Sequence, residues 1–314
     1  MKLYLIVLSI FASGVVTPTW AKQVVDHTQH TVTIPDHPKR IVSLHDWTIT
    51  VMAYELGAPV IASTGRVAND GSFFMRGADD LFGLNFNQIQ LASVHGQLDL
   101  ERIMLLKPDL IIASSGDYLA YQDALSSIAP TLMFNPEQGK PILALYEELS
   151  HWLGEHERFL ELKQQYEKKV KRVRGKLAKL YTIPPTYIAI ATNRRNGTID
   201  VLKDFGILTT VMDDLGFQRM PITKQLPQGN NRMMISAEMV ESINADYILT
   251  SYLADQNETQ RKVLDDLPHI APGALGFLKA IEQHHLFSYP RGQVYSPSFL
   301  GLNKLLDDIA MQVQ

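Results

Sequence analysis

Between residues 154 and 181 the larger apolar side chains Phe159, Leu162, Tyr166, Val170, Val173, Leu177 and Leu180 recur every three or four positions. One stripe of a 3.6-residue helix is therefore apolar and the rest is charged. The spacing predicts a single helix of about 40 Å, stopped by Pro184 and Pro185. Glu155, Glu157 and Glu161 crowd its start and Lys171, Arg172, Arg174, Lys176 and Lys179 its end, the order that complements a helix macrodipole. On both sides of it, short apolar runs alternate with helical periods. Before it come strands at 41–44, 60–62 and 110–113 and helices at 49–56, 98–106 and 118–129; after it come strands at 187–191 and 247–250 and helices at 206–215, 237–243 and 300–311. A hairpin through the alternating Thr31, Val32, Thr33 and Ile34 opens the series. Alternating strands and helices predict largely parallel sheets. Two stretches, 66–87 and 217–231, read as loops, the first too long for a mere connection.

A repeat organises this alternation. Residues 99–114 read DLERIMLLKPDLIIAS and residues 236–251 read SAEMVESINADYILTS, so Glu101 and Glu238, Asp109 and Asp246, and Ser114 and Ser251 share one displacement of 137 positions. An ordinary surface helix has the same periodicity as a joining rod, but a repeat across it favours two related lobes. The expected organisation is a leader at 1–21, one lobe at 22–153, a linking helix at 154–182 and a second lobe at 183–314.

Composition narrows the class. The chain has 314 residues, 46% hydrophobic and 20% charged, enough for two lobes with cores of their own. Its formal charge of −4 becomes −5 once Lys2 leaves with the leader, and no basic stripe suggests a nucleic-acid partner. Residues 1–21 combine one lysine, an apolar run from Leu3 to Phe11 and a breaking region ending in Thr19, Trp20 and Ala21, the pattern of a cleaved signal peptide. A membrane span needs about 18 continuous apolar residues, and Ser13, Gly14, Thr17 and Pro18 interrupt this run. With no cysteine in the chain, there is no lipid-accepting residue after the leader. Export without an anchor points to a Gram-negative periplasm.

The stretches TIPDHPKRIVSL, ASVHGQLDLERIMLLKPDLIIAS and SAEMVESINADYILTS, with the long helix between them, resemble the helix-linked periplasmic substrate-binding proteins of ABC importers, the group that includes ferric-siderophore and cobalamin binders. The resemblance implies an α/β fold of two Rossmann-like lobes with largely parallel sheets, joined by one long α-helix, and a ligand cleft between the lobes. It implies binding, not turnover, by a monomer that hands its ligand to the permease subunits of an inner-membrane ABC transporter. Ligands of α/β sheets sit at the carboxyl ends of strands. Those ends and the loops beside them carry Trp47, Arg66, Arg76, His95, Tyr118, Arg194, Arg195, Arg232, Tyr252, Arg291 and Tyr295 as candidate ligand contacts. The resemblance places Trp47, His95 and Tyr118 where related ferric-hydroxamate binders contact ligand. Aromatic rings offer apolar area and arginines offer planar donors to anionic oxygens, the mixture a ferric siderophore needs. The iron would arrive as part of that ligand, with no resident cofactor.

By the same resemblance Glu101 and Glu238 meet arginines of the two permease subunits, although each also begins a helix, where carboxylates are favoured anyway. Cobalamin, haem or a bare transition-metal ion are the alternative ligands. Several cleft arginines favour an anionic complex over cobalamin. The ten histidines show no helical ligand spacing, which weighs against a bare ion. No G-x-S-x-G, H-E-x-x-H or Walker loop is present, so the common enzyme signatures are missing.

Overall fold

The computed structural model describes residues 21–68 and 70–312. The expected leader lies outside the described residues except for Ala21, which already pairs with Pro35 in a hairpin of β1 (Ala21–Val25) and β2 (Thr31–Pro35). The first sheet contains β3 (Ile41–Leu44), β4 (Val60–Val67), β5 (Phe73–Phe74), β6 (Gln90–Val94), β7 (Leu110–Ser114) and β8 (Thr131–Phe134). Its order β6–β4–β3–β7–β8 is parallel throughout, and β5 folds back antiparallel on the outer end of β4. The stretch expected as one long loop at 66–87 therefore carries β5 and a short helix, Ala78–Phe82.

The second sheet contains β9 (Thr186–Asn193), β10 (Thr198–Leu202), β11 (Gln218–Arg219), β12 (Arg232–Ile235), β13 (Tyr247–Tyr252) and β14 (Leu286–Pro290). Strands β9, β13 and β14 are parallel, but β10 and β12 run as antiparallel neighbours in the order β12–β10–β9. The expected parallel character thus holds for the first sheet and for only part of the second. The reversal is a tight turn in which Asn196 N–H donates to Asn193 Oδ1 at 3.1 Å and Gly197 takes φ +63°. Asn196-Gly197 is a strong hairpin signal that the strand-helix alternation masked.

The repeated aspartates explain the displacement of 137. Asp109, one residue ahead of β7, accepts backbone N–H bonds from Lys39 (2.7 Å) and Arg40 (2.8 Å) just before β3. Asp246, one residue ahead of β13, accepts the Thr186 N–H at the start of β9 (2.8 Å). Each carboxylate fixes the start of the neighbouring parallel strand. The helical halves of the repeat differ, being an α-helix at Leu100–Leu105 and a 3-10 helix at Ala237–Ile243.

The joining helix is continuous over 25 residues, His156–Leu180, and buries Phe159, Tyr166, Val173 and Leu177. It packs on helix Ile142–Leu153 from the first half and on helices Gly206–Leu215 and Phe299–Gln312 from the second. One apolar core runs beneath all four and is shared by both halves. At its centre the rings of Tyr146, Phe159 and Phe299 lie 5.4 to 5.6 Å apart.

The Glu55 carboxylate, at the end of helix Ile49–Glu55 in the first half, caps the last helix of the second. Oε2 accepts from Phe299 N–H (2.8 Å) and from the Tyr146 hydroxyl (2.7 Å), and Oε1 accepts from Leu300 N–H (2.7 Å). Burial pushes the Glu55 pKa up, and these three donors counter it in part. The folded chain therefore holds this proton more tightly than the unfolded chain, so the cost of the ionised form is present above the raised pKa and is relieved as pH falls toward the unfolded value. Glu55→Ala leaves two helix N–H groups without an acceptor and the buried Tyr146 hydroxyl with only the longer bond, 3.4 Å, to the Met52 carbonyl. It is expected to cost about 2–4 kcal/mol, read as a lower urea midpoint at unchanged slope; a parental midpoint would remove Glu55 from this role.

Candidate functional site

Strand β3 delivers His45, Asp46 and Trp47 beyond its carboxyl end, and the Asp46 carboxylate organises what surrounds them. Asp46 is fully buried. It accepts a forked pair from Arg66 (Nε 2.9 Å, Nη2 3.3 Å) and the backbone N–H of Arg76 (2.9 Å). One carboxylate thereby anchors both the end of β4 and the segment after β5. The two guanidiniums flank the half-buried Trp47 ring, their central carbons 5.5 Å (Arg66) and 5.2 Å (Arg76) from its centroid, in the range of a cation–π contact. Trp47 Nε1 donates to His45 Nε2 at 2.7 Å, so the neutral His45 carries its proton on Nδ1. Burial, with the nearby charges of Arg66 and His95, pushes the His45 pKa down to about 3, and the ring is neutral at physiological pH.

The opposite wall comes from the second sheet: Tyr252 ends β13, Arg291 follows β14, and Tyr295 ends the short helix Arg291–Tyr295. Tyr295 meets Trp47 across the lobes at 6.2 Å between centroids and rests edge-on against Phe205 at 5.5 Å. Arg76 Nη2 reaches Asp255 Oδ2 at 2.8 Å, an ion pair that bridges the cleft. Beside it the backbones touch. A Cβ on Gly292 would sit 2.8 Å from Gly77 N, and one on Gly77, held at φ +78°, would strike Ser296 Oγ. Between the walls lies a cavity of about 230 Å³, lined among others by Phe74, Arg76, Asp80, Tyr252, Asp255 and Arg291.

The predicted residues divide into groups. Trp47, Arg66, Arg76, Tyr252, Arg291 and Tyr295 are brought together. His95, half-buried just past β6, lies close enough for its charge to act on His45. Tyr118 is 2% exposed and its ring belongs to the first lobe's core rather than to the cavity wall. Its hydroxyl faces those of Thr64 and Ser93. These three hydroxyls and His45 Nδ1 are buried without a hydrogen-bond partner, near the ends of the strands that face the cleft. Buried groups of this kind call for water or ligand. Arg194 and Arg195 sit exposed on the β9–β10 turn, and Arg232 is exposed at the start of β12 with Asp200 3.7 Å away. None of these three lines the cavity.

The positive surplus expected from the cleft arginines is absent from this wall. Arg76 and Arg291 stand against Asp79, Asp80 and Asp255, and Arg66 is paired with Asp46. Arg291 donates from Nε to Ser251 Oγ at 3.3 Å and has no carboxylate partner among the described residues. Asp46, His45, Asp80 and Asp255 were not among the predicted contacts. Asp46 and His45 follow a buried strand directly, which is the one signal that singles them out. Glu101 and Glu238 are exposed in the first turns of their helices, at the cleft-facing edges of the two sheets. At Glu101 the capping is done by another residue, since Asp99 accepts the Arg102 N–H at 2.9 Å.

Two α/β lobes, one continuous helix along both and a cavity between them define a two-lobed solute-binding protein. The sequence model of the periplasmic binding protein family matches residues 42–291, and the chain belongs to that family. It is 31% identical over 159 residues to the ferric enterobactin-binding periplasmic protein FepB of Escherichia coli O6:H1, a match covering 48% of each chain. It is 29% identical over 146 residues to the putative ABC transporter substrate-binding lipoprotein YhfQ of Bacillus subtilis, covering 43% of each. The chain thus spans about half the length of the curated relatives it matches. Staphylococcus aureus SirA complexed with staphyloferrin B has the same fold, with a TM-score of 0.70 at 21% identity over 93% of this chain and 98% of that one. FhuD2 of Staphylococcus aureus with bound ferrioxamine B gives a TM-score of 0.65 at 18% identity, over 88% and 98%. These relatives are substrate-binding proteins rather than enzymes. No helix among the described residues is long and apolar enough to cross a membrane.

Proposed function

We propose that this protein is an exported periplasmic receptor that captures a ferric siderophore between its lobes and delivers it to the permease subunits of an inner-membrane ABC importer. The observation that carries the reading is the inter-lobe cavity, in which Phe74 and Tyr252 supply rings and Arg291 a guanidinium with no carboxylate partner among the described residues, while the Trp47–Tyr295 ring pair stands behind the cavity-lining Arg76, in a chain similar to a ferric enterobactin-binding protein. A bare transition-metal ion fits this wall less well than a chelate. Such a receptor gathers three or four His and carboxylate ligands at one point, and the described residues lining the cavity include carboxylates but no histidine. The cavity of about 230 Å³ is smaller than the roughly 300–1,000 Å³ of drug-sized sites. A chelate therefore parts the Arg76–Asp255 bridge as it enters.

Tryptophan fluorescence, titrated with ferric hydroxamates, catecholates and citrate and with their iron-free forms, tests this reading. A saturable quench by one ferric form, with the iron-free form inactive, is expected. Arg291→Ala is expected to raise that dissociation constant about ten- to a hundredfold. Quenching by cobalamin or haemin alone would move the function to the alternative ligands.

Glu101 and Glu238 are proposed to dock on the permease, a role that Asp99 capping leaves open for Glu101. Glu101→Arg with Glu238→Arg is expected to leave ligand affinity unchanged and abolish uptake, because like charges at an interface cost several kcal/mol. Growth at the parental rate with normal amounts of the double variant would leave both glutamates as helix-start residues only.

A further inference from the structure

The strongest cluster outside the cleft lies at the corner where helix Ile142–Leu153 turns into the joining helix. Glu147 and His151 stand four residues apart on the first helix, and His156 is the first residue of the second. This is a helical ligand spacing, which the reading of the histidines alone overlooked because one partner is a glutamate. One ligand atom from each side chain lies within 4.8 Å of the other two. Gly154, at φ +75° and packed against the Asp36 carbonyl and the His37 ring, makes the turn that brings the helices to this angle.

We propose that Glu147, His151 and His156 form a binding site for a late first-row divalent cation of the zinc class, distinct from the inter-lobe cleft. Two imidazoles and one carboxylate suit zinc better than magnesium or calcium, which prefer all-oxygen sets. The donor atoms are free. The Glu147 carboxylate and the His151 ring make no hydrogen bond or ion pair among the described residues, although ion pairs are common elsewhere on the surface. Lys22 Nζ engages His151 only through its backbone carbonyl, at 2.9 Å.

His156 is oriented from behind. The buried Ser150 hydroxyl donates its one proton to the Glu147 carbonyl at 2.6 Å, so toward His156 Nδ1, 3.2 Å away, it acts as acceptor. Nδ1 therefore carries the proton of the neutral ring and the Nε2 lone pair is left for a metal, the arrangement by which outer hydrogen bonds fix metal-ligating histidines. The His151 and His156 rings are stacked at 3.8 Å and 20°. Tetrahedral zinc with bonds of about 2.0–2.2 Å brings its ligand atoms to about 3.4 Å, so one ring must turn out of the stack. His151 is exposed and free to do so, whereas His156 is held by Ser150 and by Phe159, whose ring is 6.0 Å away and nearly parallel. Three protein ligands leave the fourth position to solvent. The ion would cross-link the first lobe's last helix to the start of the joining helix and stiffen that corner.

Calorimetric titration of metal-free protein with zinc chloride, against magnesium chloride, tests the site. One zinc per chain is expected, with a higher unfolding temperature and no response to magnesium. His151→Ala and Glu147→Gln change side chains that make no hydrogen bond, so both variants should fold; each is expected to weaken zinc at least tenfold. Ser150→Ala, which removes the orienting bond together with the hydroxyl's bond to the Glu147 carbonyl and leaves all three ligands in place, is expected to weaken it about tenfold. Equal zinc binding by parent, His151→Ala and Glu147→Gln would place the ion on other histidines and overturn the proposal. Zinc binding no tighter than magnesium binding would do the same.

Discussion

The Glu55 carboxylate ties the two halves of the chain at the level of single hydrogen bonds. It terminates a helix of the first lobe, accepts the first free N–H groups of the last helix of the second, and takes the hydroxyl of Tyr146 on the helix that leads into the joining rod. Around it Tyr146, Phe159 and Phe299 close one apolar core that neither lobe owns alone. Bending the joining helix would break i to i−4 bonds, and separating the lobes would expose this core. Together with the Gly77–Gly292 approach at the other side of the cleft, these constraints make a preformed cleft, not a wide hinge, the resting state of the molecule.

Within that frame the cleft is arranged before any ligand arrives. Asp46 sets the positions of Arg66 and of the Arg76 backbone, the two guanidiniums bracket Trp47, and Trp47 in turn fixes the tautomer of a neutral His45. Most of the positive charge here is spent on internal pairs, so the arginines act first as supports for an aromatic surface. Arg291 is the exception, being held by a serine hydroxyl alone. Such preorganisation lowers the ordering cost of binding.

Much of this was legible in the sequence where a residue does the same job twice. Asp109 and Asp246 stand 137 positions apart because each anchors the strand next to its own, and the apolar stripe of the joining helix was readable because burial selects Phe159, Tyr166, Val173 and Leu177 at helical spacing. The β9–β10 hairpin was not found, although Asn196-Gly197 marks it, because a parallel sheet was expected from the alternation alone. Site residues were harder. Strand ends name the loops that face the cleft, but they do not distinguish Arg291, on the cavity wall, from Arg232, exposed beside Asp200. Nor does a place just past a strand end show that the Tyr118 ring turns inward to the first lobe's core and leaves only its hydroxyl, buried and without a partner, beside those of Thr64 and Ser93. The carboxylates that pair with the arginines come from distant parts of the chain, as Asp255 does for Arg76, and no local pattern announces them.

The central claim is that a chelated iron sits between the lobes, touched by rings and guanidiniums and not coordinated by protein side chains. Anomalous scattering at the iron edge, from crystals grown with the ferric chelate that quenches best, measures this directly. The account predicts one iron peak between Trp47 and the Tyr252–Arg291 wall, with every protein donor atom beyond bonding distance. A peak bonded to protein carboxylates or imidazoles, in the cleft or at Glu147, His151 and His156, would contradict it.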